Sequence, residues 1–193
     1  MQNAFTDNGL QEPDTERVLG IIGLSLMAAV EALTPADTPA EMKDKLCLSY
    51  SNNYRTMESN LSLYPNVIET LEELDKRGYL MGVVTGKSSR GLIRVLEQFD
   101  LNKFFPVWRT ADICNSKPHP AMALECMDEM GAVVANTVVV GDSRFDIQMA
   151  KAAGMRSIGV SFGVESASSL RNEGAFDVID TFEDVLNHFP DLR

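Results

Sequence analysis

Val138-Val139-Val140-Gly141-Asp142-Ser143-Arg144-Phe145-Asp146 is the stretch whose reading decides the fold. Three β-branched residues make a short apolar strand, and Gly-Asp ends it. A second Asp follows four residues later. Open α/β sheets bind ligands at the carboxyl ends of their strands. Two hard oxygen donors one helical turn apart suit Mg²⁺, which takes one or two carboxylates and keeps several waters. The same residues also make a plain strand-to-helix turn, with Asp142 in the turn and Asp146 as a first-turn acid. The flanking segments weigh against that plainer reading.

Outward from this stretch, apolar strands alternate with amphipathic helices. Strands are expected at Leu80–Val84, Val107–Thr110, Thr137–Val140, Ser157–Val160 and Phe176–Ile179. Helices are expected around Val67, Leu71 and Leu74, and around Leu92, Val95, Leu96 and Phe99. Two more open at Pro118 and near Phe145, and a short one closes the chain. Strands of this kind, with helices of ten to fifteen residues between them, predict a doubly wound, Rossmann-like parallel sheet in an α/β fold. Before Ser62 the pattern is helical instead. Leu26, Ala29, Val30 and Leu33 share one helix face, and a second helix from Pro39 aligns Met42, Leu46, Tyr50, Tyr54 and Met57. Gly20 and Gly23 interrupt the first part and predict a bend or loop. The chain thus divides into a helical piece, residues 1–62, and an α/β piece, residues 63–193.

Composition narrows the function. The 193 residues carry a net charge of −11, which argues against nucleic acid and anionic membranes as partners. An anionic substrate would need a metal ion or local cations. No stretch is long and apolar enough for a membrane span, and no signal peptide is evident. Cys47, Cys114 and Cys126 are widely spaced and form no metal-type pair, so reduced thiols in a cytoplasm are expected.

Two further segments fall at strand ends. Val83-Val84-Thr85-Gly86-Lys87-Ser88 offers a hydroxyl and free backbone amides to an anion, although Thr85 and Ser88 are equally ordinary turn and N-cap residues. In Ser116-Lys117-Pro118-His119-Pro120, Pro118 suits a first helical turn. Lys117 would then sit where a helix dipole disfavours a cation, a placement that an anion would justify. Together these groups describe a site for phosphoryl groups with Mg²⁺.

The order of these motifs resembles the haloacid dehalogenase-like (HAD) hydrolases, and within them the phosphoglycolate phosphatase group. The resemblance runs along the whole chain. It is densest at Leu63-Tyr64-Pro65, Val84 to Ser88, Ser116 to Pro120, Val140 to Ser143 and Asp146 to Ala150. It implies a phosphoric monoester hydrolase acting on a small phosphorylated metabolite. Thr85 and Gly86 would bind the phosphoryl group, Lys117 would neutralise it, Asp142 would coordinate Mg²⁺, and Asp146 would ligate the metal or orient its shell. The helical piece becomes a cap, with Gly20 and Gly23 in its substrate loop.

The resemblance also implies a nucleophilic aspartate in an Asp-x-Asp-Gly-Thr segment on a central first strand, between the strands of Thr85 and Asp142. The sequence given contains no such segment. The early Asp7-Asn8-Gly9 has no apolar strand before it and reads as a turn. The expectation is therefore an N-terminally truncated and inactive phosphatase whose core lacks its central strand. A phosphate- or metal-binding pseudo-phosphatase, or a piece completed by a partner chain, stays open beside it.

Overall fold

The computed structural model describes residues 1–192, all but the Ser59 side chain. The chain forms two compact units, Met1–Leu63 and Tyr64–Arg193, of which residue 193 lies outside the described residues.

The first unit is all helix: α1 (Gln2–Asp7), α2 (Thr15–Leu19), α3 (Leu26–Leu33) and α4 (Ala40–Met57). The side chain of Ser25 accepts from the Ala28 amide and so starts α3. Phe5, Val30, Leu33 and Leu46 close into one small core. Of the face expected on α4, only Leu46 is fully buried, and Met57 at the helix end is exposed. Asp7 ends α1 and its carboxylate accepts from Ser49 and Asn53 of α4. Asn8 and Gly9 form the turn that the sequence suggested, with Gly9 at φ +71°.

The second unit is α/β. It runs α5 (Val67–Lys76), β1 (Gly82–Thr85), α6 (Ser89–Gln98), β2 (Val107–Thr110), α7 (Ala121–Glu129), β3 (Val138–Gly141), α8 (Arg144–Ala152), β4 (Arg156–Val160), α9 (Ala167–Glu173) and β5 (Asp177–Ile179). A 3₁₀ segment, Phe182–His188, follows. Every strand pair is parallel. Alternate residues of β3 and β4 reach opposite faces. Val139 packs with Met122, Met149 and Ala150 on one side, whereas Ile158 and Val160 pack with Leu74, Ile179 and Val185 on the other. Covering on both faces explains why these strands read as apolar throughout.

Three details differ from the sequence reading. The first strand begins at Gly82 rather than Leu80, because its ladder starts opposite Val107, and Leu80 is exposed. Helix α9 goes unnoticed in the sequence because only Leu170 among its seven residues is buried. Pro118 does not open a helix. The Lys117–Pro118 bond is cis and lies inside a turn closed by the His119 amide donating to the Ser116 carbonyl, and α7 starts at Ala121.

The parallel strands form two ladders, β1–β2 and β3–β4–β5, and among the described residues no ladder joins β1 to β3. Val84 of β1 nonetheless packs against the same core cluster as Val139 of β3. On β3, Val140 remains 37% exposed, which marks a strand not fully covered. Ile147 is completely buried against Leu170 and Val178. Ile147→Ala should therefore cost about 2–5 kcal/mol in a denaturant unfolding curve; a loss well under 1 kcal/mol would contradict this packing.

Candidate active site

The site forms where β3 gives way to α8. Gly141 ends the strand and Asp142 follows, ahead of the helix. Ser143 is the N-cap, and it builds a capping box with Asp146 at the third helical position. The Ser143 amide and hydroxyl both donate to Asp146 Oδ2, at 3.2 and 2.6 Å. Lys117 arrives from the turn after β2, and its Nζ donates to Asp146 Oδ1 at 2.7 Å. Both partners of this ion pair are more than nine-tenths buried. Gly141 is required here because a Cβ would stand 2.4 Å from the Cβ and Cγ of Asp146.

Asp142 is held differently. Its Oδ2 accepts from the Val164 amide at 3.1 Å, in the turn after β4. The expected helical-turn spacing of the two carboxylates is thus not what joins them, since Asp142 precedes the helix. Burial pushes the Asp142 carboxyl above its ordinary range, and the neighbouring charge of Asp146 pushes it further, against the Val164 amide and Lys117.

Thr85 ends β1. Its hydroxyl accepts from the Lys87 amide at 3.2 Å, as a turn residue does. The Ser88 side chain accepts from the Gly91 amide and caps α6. Among the described residues, no hydrogen bond or ion pair joins Thr85 or Gly86 to the Lys117–Asp146–Asp142 cluster. The structure therefore brings three of the sequence candidates together and sets Thr85 and Gly86 at a neighbouring strand end. Gly20 and Gly23 lie in the first unit, in the loop between α2 and α3.

Several groups escaped the sequence reading. Val164 contributes only an amide, which no motif announces. Glu165 is bound by Arg144 through both its backbone N and its Nε, at 3.0 and 2.6 Å. The Ser116 hydroxyl, beside Lys117, is buried and has no hydrogen-bond partner among the described residues. A cysteine nucleophile finds no support: burial raises all three thiols, Cys126 to about 11, which keeps them protonated at neutral pH.

No group of three or more His, Cys, Asp or Glu with metal-binding geometry occurs among the described residues. Asp146 has both oxygens committed to Lys117 and Ser143, so Asp142 is the better placed of the two to face a cation. A short donor set of this kind fits Mg²⁺, which completes its shell with water and substrate phosphate. It would not serve a metal that needs a full protein cage.

Fold and motifs place the protein in a known class. Residues 1–160 match the haloacid dehalogenase-like hydrolase family, and the chain belongs to that family. It is 30% identical over 187 residues to a protein from Dickeya dadantii named "Probable phosphatase IndB", covering 95% of this chain and 81% of that one. It is 33% identical over 153 residues to the phosphoglycolate phosphatase of Salmonella choleraesuis, covering 78% of this chain. The match spans 61% of that enzyme's length. In structure it resembles a hydrolase from Pseudomonas syringae, with a TM-score of 0.87, 23% identity, and coverage of 97% and 87% of the two chains. That likeness concerns the fold alone. Among the described residues no helix is long and apolar enough to cross a membrane.

Two predictions follow from the charges. A carboxyl whose folded pKa is raised binds its proton more tightly folded than unfolded, so ionising it costs stability above that pKa and nothing below the unfolded value. Asp142→Asn should therefore stabilise the metal-free protein at pH 7 in chemical denaturation, with the gain fading as pH falls towards 3.8; a destabilised variant at pH 7 would contradict the charge assignment. Removing Lys117 leaves a buried carboxylate without its counter-ion. Lys117→Ala should lower the unfolding free energy by about 3–5 kcal/mol, and an unchanged denaturation midpoint would show that the pair is not held as described.

Proposed function

We propose that the protein is a Mg²⁺-dependent phosphatase of a small phosphorylated metabolite, of the phosphoglycolate phosphatase kind, working through an aspartyl-phosphate. The observation that carries this reading is the Lys117–Asp146–Asp142 cluster at the end of β3: one buried cation, one carboxylate that orients it, and one carboxylate electrostatically primed for a metal. Two relatives named as phosphatases support it.

In this reading Lys117 meets the phosphoryl oxygens and Asp146 keeps its ammonium in place. The Thr85 hydroxyl and the Gly86 amide orient the phosphoryl group. Asp142, with Asp146 supporting, holds Mg²⁺, which supplies positive charge to the phosphoryl oxygens when bound. Enclosure of these groups strengthens each interaction relative to water. The helical unit is the cap, and the loop carrying Gly20 and Gly23 contributes to substrate choice.

One role has no holder among these residues, that of the carboxylate that attacks phosphorus. In the family resemblance that role belongs to an aspartate of an Asp-x-Asp-Gly-Thr segment at the end of an apolar strand, which the sequence given does not contain. Its first Asp would form the covalent ester and its second would move the proton.

Hydrolysis of p-nitrophenyl phosphate with Mg²⁺ tests this on the 193-residue chain beside a version extended at its N-terminus by that strand. The extended form should turn over and the shorter one should not. Turnover by the shorter form would give the attack to another carboxylate. A folded extended form without turnover would overturn the phosphatase reading in favour of a phosphate- or metal-binding protein.

A further inference from the structure

Asp142 stands outside α8, so no helix fixes its side chain; the turn after β4 does. Val164 donates its amide to Asp142 Oδ2, and the Glu165 amide donates to the Asp142 carbonyl at 3.1 Å. Gly163 lies so close that a Cβ there would stand 2.2 Å from the Asp142 Cβ and 2.4 Å from Oδ2. That contact is with the root of a short side chain, so Asp142 would have to rotate away. The turn is itself tied back to the start of α8. Glu165 accepts from the Arg144 amide and guanidinium, and its other oxygen accepts from the Ser169 hydroxyl. These bonds hold the Glu165 carboxyl below its ordinary range although burial opposes them.

We propose that Gly163, Val164 and the Arg144–Glu165 pair form a positioning device for the Asp142 carboxylate, anchoring one oxygen so that the other is presented to a divalent cation. The absent side chain of Gly163 is the condition for that geometry, and the Arg144–Glu165 pair keeps the turn in reach. These are positioning residues acting through Asp142, and the inference rests on the reading of Asp142 as the Mg²⁺ ligand. Nothing in the strand-end motif itself shows the turn, which lies some twenty residues further on.

The test is a Mg²⁺ titration of the ¹⁵N-labelled full chain, following the Val164 amide resonance, with unfolding midpoints measured in parallel. In the wild type that resonance should move with Mg²⁺ saturation, because its acceptor carboxylate is the metal ligand. Gly163→Ala should raise the apparent Kd about tenfold or more, the scale of one lost hydrogen bond to a charged group. Arg144→Gln, on a side chain 43% exposed, keeps the fold and should raise Kd by a smaller factor in the same direction. If Gly163→Ala does not fold, Arg144→Gln decides alone. A turn that is merely structural would lower the midpoints and leave Kd unchanged, which overturns the proposal. Asp142→Asn separates the two levels. If it binds Mg²⁺ like the wild type, or if the wild type binds none, the metal reading of Asp142 falls and the proposal with it. If it abolishes binding while both turn variants bind normally, the positioning role alone falls.

Discussion

The buried ion pair between Lys117 and Asp146 is the constraint on which the rest of the site depends. Lys117 comes from the turn after β2 and Asp146 from the first turn of α8, so the pair ties the β1–β2 ladder to the β3–β4–β5 ladder, which are separate among the described residues. Burying two charges is costly, and the attraction between them offsets that cost only when geometry and further hydrogen bonds are good. Here Ser143 supplies the further bonds, and it does so as part of the helix cap. One carboxylate thus ends a strand-to-helix junction correctly, fixes a cation, and places negative charge beside Asp142.

That last effect sets the character of the site. Two carboxylates near each other, only one of them neutralised by a lysine, leave Asp142 with a charge its surroundings disfavour. A protein selected for stability alone would not keep such an arrangement. In the proposed reading a bound cation would relieve that mismatch, and Lys117 would offset the charge of an incoming phosphoryl group. The overall charge of −11 makes the local cation more significant, since an anionic substrate approaches an otherwise repelling surface.

Much of this was legible in the sequence. The run Val138–Val140, the Gly-Asp ending and the acid at Asp146 announce a strand, a turn and a helix start, because each uses a local preference that tertiary context did not override. Helix α3 was equally plain from the spacing of Leu26, Ala29, Val30 and Leu33, the last three of which are buried. What escaped was non-local or had no side-chain signature. Val164 acts through its amide, and Gly163 acts by lacking a Cβ. Pro118 looked like a helix opener because proline is common at that position, but it lies in a turn closed by the His119 amide on the Ser116 carbonyl, and α7 starts only at Ala121. Helix α9 has a single fully buried residue, Leu170, so its periodicity is weak. The division between β1 and β3 had no signature in the residues, since strand order cannot be read from local pattern.

The most direct test of the central claim is a crystal structure of the full chain grown with Mg²⁺ and inorganic phosphate. The account predicts an ion about 2.0–2.1 Å from an Asp142 oxygen, the range for Mg²⁺, with a phosphate oxygen within hydrogen-bond reach of Lys117 Nζ and the Lys117–Asp146 pair intact. A metal bound away from Asp142, or a phosphate that ignores Lys117, would contradict it.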